Sequence, residues 1–126
     1  MVPEKQKILI ADDSEMNRTL LVEMLKDNFE IAEVENGAQA LAALQENPGE
    51  FSLLLLDIVM PGMDGFEVLR KRQRSEIFKN IPVIVLTMSD MKEDQELAEQ
   101  LGADGFLLKP VNPKDAHFRI RQVLGE

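Results

Sequence analysis

An α/β domain built on a doubly wound, five-stranded parallel sheet is what this sequence predicts, and three observations predict it. Short apolar runs alternate with longer amphipathic ones five times along the 126 residues, the pattern of repeated βα units. The run "FSLLLLD" at 51–57 is continuously apolar, as a strand buried on both faces must be. The length fits one domain, 1–126, with no linker, repeat or low-complexity tract to divide it.

The elements follow in order. "KILIA" (7–11) reads as the first strand, and Ser14 is placed to cap the helix after it. In that helix Met16, Leu20, Leu21, Met24 and Leu25 recur at helical spacing, and its methionines read as core filler. "EIAEVE" (30–35) alternates like a strand, and the Ala-rich "GAQALAALQE" (37–46) is helical. After the strand at 51–57 comes a turn at Pro61-Gly62, then the helical "FEVLRKRQ". The basic cluster "RKRQR" at 70–74 reads as a solvated helix end, its cations complementing the macrodipole. "IPVIVLT" (81–87) is the fourth strand. A helix from about Asp90 to Leu101 follows, with only Met91 as an apolar anchor in its first turns. "DGFLLK" (104–109) is the last strand and "PKDAHFRIRQVL" the last helix. At about 100° per residue, Ala116, Ile120, Val123 and Leu124 share one face of it. Phe118 falls roughly opposite, among Lys114 and Arg121, as a contact for a dimer or target, and His117 is expected on the helix surface.

Composition excludes whole classes of function. There is no cysteine, so disulfides and thiolate metal sites are ruled out, which suits a reducing, cytoplasmic setting. No apolar segment approaches the roughly 20 residues that span a bilayer, so no membrane role is expected. The formal net charge of −9 argues against contact with nucleic acid. A single histidine offers no histidine-based metal site or internal relay.

In a doubly wound sheet, ligands sit in the crevice beyond the carboxyl ends of the strands. Strand one ends in Asp12 and Asp13, strand three in Asp57, strand four in Thr87 and strand five in Lys109. Three carboxylates, a hydroxyl and an amine thus meet on one edge. Two carboxylates about 4 Å apart repel by roughly 4 kcal/mol at an effective dielectric of 20. Mg²⁺, which commonly takes one or two carboxylates and keeps several waters, is the natural compensation. With that cation and Lys109 drawing off charge, a carboxylate can attack phosphorus and form an acyl phosphate. Thr87 and Lys109 would receive the oxygens of the transferred group.

"ADD" after the first strand, "LLLLDIVMPGMDG", "VIVLT" and "GADGFLLKP" together resemble the receiver domain of two-component response regulators. The match spans nearly the whole chain, with the motifs in order and at the right strand ends. The resemblance implies a flavodoxin-like (βα)5 fold with strand order 2-1-3-4-5. It implies Asp57 as the phospho-acceptor, Mg²⁺ bound directly by Asp13, Asp57 and the Val59 carbonyl, and Asp12 acting chiefly through water. It implies Thr87 and Lys109 as the assisting hydroxyl and lysine, Phe106 as an aromatic switch, and a cis bond at Lys109-Pro110. The implied donor is a sensor histidine kinase or phosphotransfer protein. The implied product is a signalling switch rather than a metabolic enzyme. Since the last helix ends the sequence, the output is expected through a partner or through a longer parent chain. A dimer would use the 90–124 face, and the helix at 90–101, with Phe106, is expected to respond most to phosphorylation.

Other classes fit less well. A flavodoxin needs a first loop that cradles phosphate, but here that loop opens with two acids, and no Trp or Tyr is present to stack on a flavin. An aspartyl-phosphate phosphatase would carry Asp-x-Asp where Asp57 is followed by Ile58 and Val59. A degenerate receiver, acting only as an interaction domain, would lack some acceptor-site residue type, and none is lacking. Two positions depart from the receiver pattern. Met88 stands where a small residue is usual, and Val59 where some members have a polar side chain. Both are expected to shield the acyl phosphate from water and lengthen its life.

Overall fold

The computed structural model describes residues 5–88 and 92–125. Five strands, β1 (Lys7–Ala11), β2 (Glu30–Val34), β3 (Leu53–Asp57), β4 (Val83–Thr87) and β5 (Gly105–Leu108), alternate with five helices. The helices are α1 (Glu15–Leu25), α2 (Gly37–Glu46), α3 (Gly65–Gln73), α4 (Lys92–Gln100) and α5 (Pro113–Leu124). All strand pairs are parallel, in the order β2-β1-β3-β4-β5 that the resemblance implied. Residues 89–91 lie outside the described residues, so the start expected for α4 and its Met91 anchor do too.

Side-chain alternation along the strands feeds two cores. Leu9, Leu54, Leu56, Val83 and Val85 point to one face, where Ala40 and Leu44 of α2, Val68 and Leu69 of α3 and Ala98 of α4 cover them. Ile8, Ile10, Leu53, Leu55, Ile84 and Leu86 point to the other, under Leu21 and Leu25 of α1 and Ala116 and Ile120 of α5. Every residue of β3 and β4 is buried, as their continuous apolar runs demand. Strand starts fall later than expected at three places, by one residue at β5 and by two at β3 and β4. Ile81 gives its carbonyl to the Arg72 side chain, and Pro82 has no N–H to donate, so β4 begins at Val83. Phe51 is buried but lies before the β3 ladder.

Helix starts are chemically marked. Ser14, Asn36, Asp64 and Asn112 each cap a helix by accepting a backbone N–H from its first turn. Gly62, at φ +79°, makes the turn expected at Pro61-Gly62. Gly65 opens α3 hard against the end of β3: a Cβ there would lie 2.5 Å from the Asp57 carbonyl oxygen.

Three side-chain expectations are corrected. In α1 the buried stripe is Arg18, Leu21 and Leu25, whereas Met16 is 72% and Leu20 51% exposed. At about 100° per residue, Met16 and Leu20 turn away from that stripe, so Met16 is no core filler. His117 is half-buried, its Nε2 2.9 Å from the Met24 carbonyl oxygen, because α5 packs beside α1. Within the basic cluster, Arg70, Lys71 and Arg74 are exposed as expected, but Arg72 is buried. Phe118, by contrast, is 66% exposed, opposite Ala116 and Ile120 as read from the sequence.

Arg72 is a structural tie. Its Nε and Nη2 donate to Ile81 O at 2.9 and 2.7 Å, and its Nη1 to Gly102 O at 3.3 Å. Asp104 stands 3.8 Å away and also accepts the Val83 N–H at 2.9 Å. Burial lowers the pKa of the Arg72 guanidinium, and Asp104 opposes that shift. Arg72→Met should therefore leave two carbonyls unpaired and cost about 2–4 kcal/mol, read as a lower urea midpoint. An unchanged midpoint would show the tie to be dispensable.

Candidate phospho-acceptor site

Parallel strands end together, so their last residues share one edge. β1 runs into Asp12, whose N–H donates to Val34 O at 3.2 Å. β3 ends in Asp57, paired in register with Leu86, and β4 ends in Thr87, paired with Leu108. Lys109 follows β5 and donates its N–H to Thr87 O at 2.8 Å. The fold thus brings Asp12, Asp13, Asp57, Thr87 and Lys109 to one crevice.

The geometry within it is tight. The Lys109 ammonium lies 2.9 Å from Asp12 Oδ2 and 3.1 Å from Asp57 Oδ2. Asp12 is fully buried, Asp57 3% exposed and Thr87 5% exposed, while Asp13 is exposed. Asp12 Oδ1 accepts the Ser14 N–H at 2.9 Å, and Asp57 Oδ1 accepts the Val59 N–H at 3.3 Å. Lys109-Pro110 is a cis peptide. Val59 and Met88 stand at the rim, 77% and 83% exposed. At that exposure little of the Met88 side chain packs against its neighbours. Phe106 is half-buried in β5 and packs into the α2–α4 core, on the face that Thr87 continues.

Electrostatics set the chemistry. Burial raises the Asp57 pKa from 3.8 to about 6; the charge on Asp12 adds to the rise and Lys109 opposes it. Burial would lower the pKa of Lys109, but its contacts with Asp12 and Asp57 outweigh that, and it is raised overall. Three carboxylates against one ammonium leave a charge of −2 when all are ionised. Asp12, Asp13 and Asp57 each offer an oxygen, and these oxygens lie within 4.8 Å of one another. Asp12 Oδ2, though close to Lys109, is buried without an aligned hydrogen bond. An all-oxygen, net-negative donor set whose carboxylates share a single ammonium fits a hard divalent cation.

Sequence reasoning missed one residue here. Arg18, buried in α1, donates from Nη1 to the Asp12 carbonyl at 2.7 Å. The signal was an arginine three residues before Leu21 and seven before Leu25, on the buried stripe of the helix.

A parallel sheet whose carboxyl edge gathers three acids, a hydroxyl and a lysine around a buried aspartate is the build of a receiver. The model of the response regulator receiver domain matches residues 8–121, and the chain belongs to that family. It is 34% identical over 120 residues to the transcriptional regulatory protein ResD of Bacillus subtilis (strain 168), covering 94% of this chain and 48% of ResD. It is 33% identical over 118 residues to the two-component response regulator ORR5 of Oryza sativa subsp. japonica, covering 93% of this chain and 87% of ORR5. The chain thus spans about half the length of ResD. Among solved structures, the receiver domain of sensor histidine kinase PA1611 from Pseudomonas aeruginosa PAO1 superposes with a TM-score of 0.88 at 25% identity, covering 98% of this chain and all of that one. That receiver has a magnesium ion coordinated in its active site cleft. This chain is a response regulator receiver domain, and its complete acidic pocket disfavours a degenerate one.

The Asp57 pKa carries a stability consequence. Because the folded value of about 6 lies above 3.8, the stability that Asp57 contributes is complete below pH 3.8 and is lost as pH rises through 6. In cation-free buffer Asp57→Asn should gain on the wild type between pH 4.5 and 7.5, by about 2 kcal/mol at one pKa unit per 1.36 kcal/mol. Urea unfolding at the two pH values measures the gap, and a gap independent of pH would contradict the shift.

Proposed function

We propose that Asp57 accepts a phosphoryl group from the phosphohistidine of a sensor histidine kinase or phosphotransfer protein. The observation that carries this reading is Asp57 itself. It is a buried carboxylate at the end of an all-apolar strand, one oxygen held by the Val59 N–H and the other by Lys109. Burial there has no structural return, since an apolar residue would end the strand at lower cost. Asp12, Asp13, Asp57 and the Val59 carbonyl would hold Mg²⁺, which supplies charge neutralisation at the phosphoryl oxygens when bound.

The chain's own residues carry the rest. An Asp57 oxygen attacks phosphorus, the P–N bond of the donor breaks, and the imidazole leaves and is reprotonated. The Val59 N–H holds the other Asp57 oxygen and so orients the attacking one. Lys109 and the Thr87 hydroxyl receive the phosphoryl oxygens, so the domain promotes its own phosphorylation. Hydrolysis runs by water attack on phosphorus, breaking the P–O bond and returning the Asp57 carboxylate and inorganic phosphate. The output follows from a changed surface: Phe106 and α4 lie on the face that Thr87 continues and would carry the switch to an output partner. A dimer would use the 90–124 face. We place the domain in the cytoplasm, where donors charged from ATP are made.

Incubation with Mg²⁺ and a small phosphodonor should add about 80 Da to the intact mass. Asp57→Asn should show no adduct, and Asp13→Ala should require more Mg²⁺. An Asp57→Asn protein that still gained the adduct would sink the assignment.

Val59 bears on lifetime. Positioning a water in line with the P–O bond is much of hydrolysis, and valine cannot hydrogen-bond one. Val59→Asn should shorten the phosphoryl lifetime about tenfold, or 1.4 kcal/mol in the barrier. Met88→Ala, at a side chain that faces solvent, should change it far less. Equal decay in Val59→Asn and wild type would end the argument.

A further inference from the structure

Arg18 is a buried charge that the phosphoryl chemistry does not use. Its side chain is 10% exposed, with Nε 3.3 Å from Glu33 Oε1 and Nη2 3.9 Å from Glu35 Oε1. Its Nη1 donates to the Asp12 carbonyl at 2.7 Å. The Asp12 N–H is bonded to Val34 O, and Asp12 Oδ1 accepts the Ser14 N–H. With the bond from Arg18, three of the four polar atoms of Asp12 are fixed. Only Oδ2 is left to face Lys109 and a cation. The same carbonyl belongs to the peptide that joins Asp12 to Asp13, and a peptide is planar. Its bond to Arg18 therefore also sets the direction from which the exposed Asp13 departs.

We propose that Arg18 is a positioning residue for divalent-cation binding, holding the Asp12–Asp13 peptide so that both carboxylates address one ion. The inference rests on reading the acidic cluster as a Mg²⁺ site. Glu33 and Glu35, at and just beyond the end of β2, steady the guanidinium in turn. Simple electrostatics predicts the opposite effect. A guanidinium near three carboxylates repels a cation, so neutralising it should tighten binding. Positioning predicts that neutralising it weakens binding. The sign decides.

Calorimetric titration of Mg²⁺ into the cation-free protein reads that sign. Arg18→Met keeps the buried stem but removes charge and donors, and its affinity should fall at least about tenfold, the usual loss when a partner that orients a metal ligand is removed. Arg18→Lys keeps one donor for the Asp12 carbonyl and should lose only about threefold. Arg72→Met removes a second buried guanidinium, at the opposite edge of the sheet, and should bind Mg²⁺ like the wild type despite lower stability. Unchanged or tighter binding in Arg18→Met overturns the proposal. So does an equal loss in Arg72→Met, which would reflect general loosening. If Arg18→Met does not fold, Arg18→Lys decides, and wild-type affinity there overturns the proposal. A wild type that binds no Mg²⁺ would instead overturn the metal reading beneath it.

Discussion

One ammonium, that of Lys109, lies within 3.1 Å of two buried carboxylates at the carboxyl edge of the sheet. Burying either acid alone would cost several kcal/mol of lost hydration. The ammonium offsets part of that for both Asp12 and Asp57, and so lets a polar crevice exist beside β1, β3 and β4, none of whose residues is exposed. The compensation is incomplete by design of the charges: Asp57 still sits at a pKa of about 6. A site held short of positive charge favours a bound cation, and under the proposed function that cation would offset the charge arriving on a transferred group. The sheet order serves the same end, since β1 and β3 are neighbours and bring Asp12 and Asp57 side by side.

Most of the fold and the core of the site were legible because both depend on periodicity and strand ends. β3 and β4 announce themselves as unbroken apolar runs, and parallel strands oblige their last residues to share an edge. Asp12, Asp13, Asp57, Thr87 and Lys109 could therefore be gathered before any coordinates. What was not legible depends on which way a helix faces. Met16 and Leu20 fit a helical apolar pattern as well as Leu21 and Leu25 do, yet only the second pair meets the sheet. Arginines 18 and 72 look like surface charges in a composition count. Each is buried because a backbone carbonyl left over by a loop needs a donor, and such needs arise only from tertiary geometry.

The two buried arginines divide the labour between the edges of the sheet. Arg18 serves the carboxyl edge, tying α1 to the Asp12 carbonyl. Arg72 serves the amino edge, tying α3 to the start of β4 and to the loop before β5. Long, forked side chains suit this use, since one guanidinium can serve two or three acceptors in fixed geometry. The two edges of the sheet are thus held by separate ties that share no hydrogen-bond acceptor.

That separation bears on how a change at Asp57 would travel. Among its described residues α4 buries only Ala98, so its packing resists displacement weakly. Its far end is another matter, because Gly102, just beyond it, is held by Arg72. Under the proposed function, a phosphoryl group on Asp57 that bonded to Thr87 would draw on the face shared by Thr87 and Phe106, beside α4. Differential bonding of about 1–3 kcal/mol, the range of ordinary coupling energies, is enough to shift such an equilibrium several-fold. An element fastened at its carboxyl end and lightly packed along its length turns about the fastened end. The displacement should then be greatest toward the start of α4, on the same edge of the sheet as the site where a phosphoryl group would provoke it.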